Sequence, residues 1–330
     1  MTSPAADVGA IVELAGPHIP VLLARVEERL AELARGHGPE LAEHAGATIA
    51  AGGKRLRPLL VLLAADRPED GDERLLLAAA AAVELVHSAT LVHDDVLDAA
   101  ELRRGLPTVW STAGRAPAVA TGDLLFSRAF AELAAAGSLA AVRSLSRASS
   151  ALAEGELLQR QDAWNGAVPV ERYLYRCELK TARLFEAACE LGALAAARDD
   201  GEVKALSAFG RRIGLAFQLL DDVLDVCGPA STTGKHRGTD LLDGTVTLPL
   251  ILARDLDPEL AQIDLRSVNS PAAATELCER IEATGALDEA RSRALAIVAE
   301  AKYGLTALSL DERQHAALDL VADSVVARST

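Results

Sequence analysis

"LVHDDVLD", residues 91–98, sets Asp94, Asp95 and Asp98 at the end of an apolar, alanine-rich run. The spelling returns in "LLDDVLDV", residues 219–226, with Asp221, Asp222 and Asp225. On an α-helix, residues four apart share a face, with Cβ atoms about 5–6 Å apart. Asp94 therefore points the same way as Asp98, and Asp221 the same way as Asp225. Two carboxylates at that separation repel by roughly 3 kcal/mol at an effective dielectric near 20. One such pair is the ordinary solvated face of a helix. Two pairs of the same spacing inside apolar runs call for a cation between the carboxylates. Oxygen donors without His or Cys partners suit Mg2+, which keeps several waters and bridges carboxylates to phosphates.

The surrounding chain reads as helix. Alanine, leucine, glutamate and arginine abound, all good helix formers, and aromatics make up only 3% of the 330 residues. The nearest strand candidate, "TVTLPLIL" at 245–252, carries Pro249, which a central strand does not tolerate. Breaks fall at "RPEDGDE" (67–73), "WNGAVP" (164–169) and "ARDDGE" (197–202), with one helical run from about Leu75 to Asp98. None has the composition of a domain linker, and no 20–50-residue repeat is present. The longest polar stretch, "CGPASTTGKHRGTD" at 227–240, follows the second aspartate cluster directly, where a long loop is a functional candidate. Residues 253–271 read as a surface connection. The expectation is an all-α fold in a single domain, 1–330.

Composition narrows the function classes. Half the residues are hydrophobic, enough for a large core without a disulfide or metal staple. A net charge of −15 argues against nucleic acid as a main partner. Cys177, Cys189, Cys227 and Cys278 have no CxxC or metal-site spacing and read as reduced thiols. The N-terminal stretch lacks the basic and apolar regions of a secretory signal, and the uncharged apolar runs are short for a spanning helix. The expectation is a cytoplasmic protein with no transmembrane segment.

A metal-bound phosphate substrate would need cations that the overall charge does not supply, and they are present locally. "GGKRLRP" at 52–58 offers Lys54, Arg55 and Arg57 beside two glycines. "ELRRG" at 101–105 sets Arg103 and Arg104 after the first cluster. "LKTARLF" at 179–185 adds Lys180 and Thr181, and "TGKHRGTD" adds Lys235.

Taken together and in this order, "GGKRLRP", "HSATLVHDDVLDAAELRRG", "EGELLQ", "KTARLFEAA", "GLAFQLLDDVLD" and "GKHRGTDLLDGTVTLPLIL" resemble the trans-isoprenyl diphosphate synthases, the polyprenyl synthetases. The resemblance runs from about residue 50 to 252, and the paired DDxxD motifs are highly specific. It implies helices around a deep central cavity, usually in a homodimer. It also implies head-to-tail condensation of isopentenyl diphosphate with an allylic diphosphate, and about three Mg2+ per active site. Asp94 and Asp98, with Asp95 nearby, match the holders of two ions; Asp221, with Asp222 and Asp225, matches the holder of a third. Arg103, Lys180 and Lys235 match ligands of the allylic diphosphate. Lys54, Arg57, His87 and Arg104 match those of isopentenyl diphosphate. Thr181 and Gln218 match positions at the reacting centre. Loose membrane association would serve product release. This chain departs from the family at Thr245, where a lysine is common; one diphosphate cation is missing there.

The resemblance also carries a statement about product length, because the helix bearing the first motif lines the elongation tunnel. Ala89 and Thr90 stand five and four positions before Asp94, where short-chain synthases place aromatics, with Val86, Ala82 and Val83 deeper along the helix. All are small or medium. The expected product is C30 or longer, in the C35–C50 range, with Phe126 and Phe130 as candidate floor residues. A geranylgeranyl- or farnesyl-type short-chain synthase is the alternative. A class I terpene cyclase would carry a different second metal motif, and a non-catalytic synthase subunit would lose aspartates from one cluster. The two ExxH spellings, Glu84–His87 and Glu312–His315, also raise a di-iron bundle. His93 points about 100° away from Asp94 on the helix and is expected to pack rather than to ligate.

Overall fold

The computed structural model describes residues 8–66, 72–228 and 236–327. Lys235 and most of the 227–240 loop lie outside them. The first aspartate cluster ends α5 (Glu73–Leu97), which begins where the Asp72 side chain accepts from the Leu75 amide at 3.0 Å. Alanines at 78–82 bury every face of this helix, because a methyl side chain lets neighbours approach from all sides. α5 is long and apolar enough to cross a membrane by length and composition, but most of that span is buried inside the protein. It is a central core helix.

Its surroundings are helical throughout. α1 (Val8–Ala15), α2 (His18–Leu33), α3 (Pro39–Ala50) and α4 (Leu56–Ala65) precede it. After it come α6 (Val109–Ala113), α7 (Arg115–Ala135), α8 (Leu139–Asp162), α9 (Val170–Cys177), α10 (Arg183–Ala195) and α11 (Asp200–Cys227). α12 (Thr239–Leu242), α13 (Leu248–Leu256), α14 (Pro258–Ala261), α15 (Pro271–Ala283), α16 (Ala286–Leu305) and α17 (Glu312–Ala327) complete the chain. α5 packs against α7 along its length, α10 lies between α4 and α11, and α16 covers α11. One hydrophobic cluster runs through these elements from Ile11 to Val325.

The suspected strand at 245–252 is the start of α13: Pro249 sits in the first turn, where its missing N–H is no loss. The segment 253–271 holds the end of α13, all of α14 and a short 3-10 turn. The only strands among the described residues, Leu102–Arg103 and Leu106–Pro107, form a two-residue hairpin. Its turn residues, Arg104 and Gly105, both have positive φ (53° and 77°), as a turn of this kind requires.

The helix between α9 and α10 is interrupted by a π turn, Glu178–Ala182, in which the Arg183 amide donates to the Glu178 carbonyl. One extra residue in a turn shifts the helix face, so Lys180 and Thr181 leave the register that 3.6-residue spacing would give them. Gly155 of α8 makes room for this turn, since a Cβ there would lie 2.6 Å from the Lys180 amide nitrogen.

Candidate active site

α5 and α11 bring the two aspartate clusters to one cavity of about 300 Å3, lined also by α8, α9 and the π turn. Asp94, Asp98, Asp221 and Asp222 line it, together with Arg103, Lys180 and Gln218. A second cavity of about 280 Å3 lies beside the first, lined by His87, Arg103 and Arg104 with Glu84 and Asp95. Leu91 and Arg103 line both, so the two chambers share a wall. Segments around residues 94–103, 180 and 218–222, far apart in the chain, thus meet at one place.

The first cluster divides its work. Asp94 is held up at about 6 by burial, with Lys180 opposing and Glu156 and Asp98 adding to it. A cation bound beside such a carboxyl would favour its charged form and lower that value. Asp98 caps the end of α5 and accepts from Arg160, which also donates to Glu156 at 2.8 Å. Asp95 turns away from its neighbours. It accepts from Arg103 Nε at 2.7 Å and lines the second cavity. As a residue next to Asp94, it sits on the adjacent helix face, and there it pairs with Arg103.

The second cluster divides likewise. Asp221 is exposed to the first cavity. Asp222 is buried and accepts from Tyr173 Oη at 2.6 Å and from Gln218 Nε2 at 2.7 Å. Burial first, then Asp240 and Asp221, push its carboxyl up to about 8 against those two hydrogen bonds. Asp225 is not in the cavity lining. Its carboxylate accepts the Asp240 amide at 3.2 Å, and its carbonyl accepts the Gly238 amide at 2.9 Å. The expected pairing of Asp221 with Asp225 is altered because the returning chain at 238–240 crosses the last turn of α11 and engages Asp225.

At the π turn, Lys180 donates to Glu156, and Thr181 Oγ1 donates to Gln218 Oε1 at 2.6 Å. Glu156 is pushed up by burial, yet Lys180 and Arg160 together hold it below its ordinary value. Gln218 therefore links Thr181 to Asp222 in one chain of hydrogen bonds. The donors on the first cavity's acidic side, Asp94, Asp98, Asp221 and Asp222, are hard carboxylate oxygens. That fits Mg2+, whose remaining ligands are waters and substrate oxygens.

The basic residues expected at the isopentenyl diphosphate site have separate fates, and of them only His87 and Arg104 line the second cavity. Arg57 lies 4.6 Å from the Phe185 ring centroid, and its Nε has no partner. Burial, with Arg104 adding to it and Glu84 opposing, lowers its pKa to about 10. His87 is held well below its ordinary value by burial and by Arg57, Arg104, Arg103 and Arg55. Arg104 reaches the Gly52 carbonyl. Lys54 is exposed and lines neither cavity. Arg55, offered by the sequence as another phosphate cation, is a strut: it donates to Glu27 at 2.5 Å, to Glu84 at 2.7 Å and to the Ile49 carbonyl at 2.8 Å.

His93 packs as expected, 5.9 Å from the Phe126 ring and 3.3 Å from the Val119 carbonyl. This places Phe126 on the α7 side of α5, away from the face that carries Asp94. Phe130 packs partly buried against the core, and neither ring lines the two cavities. Ala82, Val83, Val86 and Ala89 are buried, and Thr90 donates to the His87 carbonyl at 2.8 Å. The sequence reading missed Arg160, Arg176 and Asp243, all in the first cavity's lining. Asp243 stood in the quoted "TDLLDG"; Arg160 and Arg176 carried no motif signal.

A polyprenyl synthetase family model matches residues 39–282. The heptaprenyl diphosphate synthase component 2 of Geobacillus stearothermophilus is 38% identical over 293 residues, covering 89% of this chain and 88% of its own. The octaprenyl diphosphate synthase of Escherichia coli is 38% identical over 250 residues, covering 74% and 77%. A geranylgeranyl diphosphate synthase of Methanosarcina mazei is 37% identical over 84% of this chain and 86% of its own. Among solved structures, a polyprenyl synthase of Caulobacter crescentus, complexed with calcium and isoprenyl diphosphate, superposes with a TM-score of 0.91 at 36% identity, covering 99% of this chain and 100% of that one. With its all-α architecture, its two aspartate clusters at one cavity and this match over most of its length, the chain belongs to the polyprenyl synthetase family and is a prenyltransferase.

Proposed function

We propose that the protein is a Mg2+-dependent polyprenyl diphosphate synthase that adds isopentenyl diphosphate to an allylic diphosphate and makes a product of C30 or longer, in the C35–C50 range. The observation that carries this reading is the pair of adjoining chambers. One is rich in carboxylates and suits a metal-bound diphosphate; the other is lined by His87, Arg103 and Arg104 and suits a diphosphate without metal. Condensation needs two such groups side by side, and Leu91 and Arg103 are the wall between them.

Asp94, Asp98 and Asp221 are the residues that would hold the ions. Bound Mg2+ would neutralise charge on the departing diphosphate. Lys180 and Arg103 are placed to donate to the same oxygens, which concentrates positive charge where negative charge develops. Entry of substrate would release Lys180 from Glu156. In the second chamber, His87 and Arg104 would orient isopentenyl diphosphate so that its double bond faces the allylic carbon, with Arg57 assigned on the family motif. The Thr181–Gln218–Asp222 chain borders that point and keeps its hydrogen bonds internal, so it offers no nucleophile to the carbocation. The departing diphosphate is the base proposed for the final proton. Lys235 is assigned here on the family motif alone.

Chain length rests on Ala89 and on Val86, Ala82 and Val83 behind it, none bulky enough to stop a growing chain. Relatives named for heptaprenyl and octaprenyl products support the longer range, and the geranylgeranyl synthase marks the competing one. A homodimer is the proposed catalytic form; Leu139 and Leu157, both 62% exposed on α8, offer apolar surface for a second copy. The relative named as a component 2 favours a second reading, in which a partner subunit is needed. Purified protein incubated with Mg2+, isopentenyl diphosphate and a panel of allylic primers separates these outcomes. Products of C30 or above by mass support the proposal. C15 or C20 products overturn the chain-length reading, and no product from any primer favours the partner subunit.

A further inference from the structure

Arg176 lies one helical turn before Lys180, lines the acidic cavity and is only 3% exposed. Its Nη2 donates to the Val246 carbonyl at 2.5 Å, and its guanidinium carbon lies 5.3 Å from the Tyr173 ring centroid. Its Nη1 stands 3.7 Å from Asp162 Oδ2, too far for a hydrogen bond, and both atoms are buried without a hydrogen-bond partner. Asp162 does not neutralise it alone, because its other oxygen accepts from Arg172 Nε at 2.6 Å. Two guanidinium groups share one buried carboxylate.

The result is a buried cation in the wall of a cavity that also contains Lys180, Asp221 and Thr245, with its Nη1 turned back toward Asp162 and left without a hydrogen bond. A buried, unfilled charged donor is unfavourable unless a ligand completes it. The bond to Val246 also ties this guanidinium to the residue beside Thr245, where many members of the family carry lysine and this chain has no charge.

We propose that Arg176 is a diphosphate-binding residue, whose guanidinium, poorly satisfied by Asp162, turns its Nη1 to the allylic diphosphate and supplies from α9 the cation that position 245 lacks. The inference rests on the reading of the acidic cavity as the allylic diphosphate site. It makes Arg176 more than a strut between Tyr173, Asp162 and Val246, and it assigns a role to a residue outside every motif quoted above.

The test is calorimetric titration of Mg2+ with inorganic pyrophosphate into the full-length protein and its variants, with thermal melts to establish folding. Arg176→Gln is expected to weaken pyrophosphate about tenfold, the loss of one charge-assisted hydrogen bond. Thr245→Lys in that background is expected to restore binding to within about threefold, which a purely structural Arg176 would not permit. Thr245→Lys alone is expected to change affinity by less than about threefold, since the cation is already present. A folded Arg176→Gln that binds like the wild type overturns the proposal, and so does a failure of Thr245→Lys to rescue it. If Arg176→Gln does not fold, Thr245→Lys alone decides: tightening by about tenfold would show that the cation was missing. Lys180→Ala separates the two levels of the argument. If it leaves pyrophosphate binding intact, the cavity reading itself fails; if it weakens binding while Arg176→Gln does not, only the role of Arg176 falls.

Discussion

The Tyr173 hydroxyl donates to the buried Asp222 carboxyl at 2.6 Å, joining α9 to α11 directly beneath the second aspartate cluster. Gln218 supplies the other hydrogen bond to that carboxyl and is itself held by Thr181. Asp222 is therefore a support for the site more than an open metal ligand. Tyr173→Phe removes the donor and leaves the ring. It is expected to lower stability by about 1–2 kcal/mol and turnover about tenfold, because an oxygen of Asp222 loses its partner inside the protein. Melting curves and steady-state rates check both effects.

Alanine at Asp94 or Asp221 is expected to cost orders of magnitude in turnover while the fold survives. Asp94 is destabilised by its own burial and by Glu156 and Asp98, so its removal relieves the protein as it disables the site. A chelator should abolish elongation and Mg2+ should restore it. Rates within tenfold of wild type in either variant would contradict the metal assignment.

His87 gives the free protein an acid-side instability. Its folded pKa lies below the ordinary histidine value of 6.5, so the unfolded chain takes up the proton more readily. The effect is absent well above pH 6.5 and grows as the pH falls through that value, each step of acidification favouring the unfolded state. His87→Asn should flatten this part of the stability–pH curve, measured by denaturant unfolding between about pH 7 and 5. An unchanged slope would mean that burial and the arginines around His87 do not hold its protonation down.

Arg55 and Lys54, neighbours in the same motif, should behave in opposite ways. Arg55→Ala strands Glu84, which is 4% exposed, and is expected to cost about 3 kcal/mol of stability. Lys54→Ala removes an exposed charge and should change stability by less than about 0.5 kcal/mol. Its effect is expected in KM for isopentenyl diphosphate, which steady-state kinetics would show.

Ala89→Phe places an aromatic ring one turn before Asp94 on α5. Product analysis by mass is expected to shift from C30 or above toward C15–C20, with the first condensation retained. An unchanged product distribution would show that chain growth does not pass this face of the helix.

The spelling of the chain determined a good deal by itself. Alanine-rich composition and a four-residue spacing of aspartates were enough for the helices and for the shared face of Asp94 and Asp98, and the resemblance of the ordered motifs was enough for the family. Both are local properties: helix geometry sets which residues point the same way, whatever packs around them. What packs there is a long-range matter, and the tertiary structure alone decided it. Asp95 met Arg103 and Asp225 met the chain at 238–240, so neither carboxylate lines the acidic cavity beside Asp94 and Asp221. Arg55 became a strut while Arg57 stayed unpartnered at Nε. The π turn rotated Lys180 toward Glu156 and Thr181 toward Gln218, a shift that regular helical spacing does not contain. Arg160 and Arg176 entered the site from α8 and α9 without any motif, because a charge is recruited by the cavity that the fold closes around it, and that cavity exists only after distant helices have met.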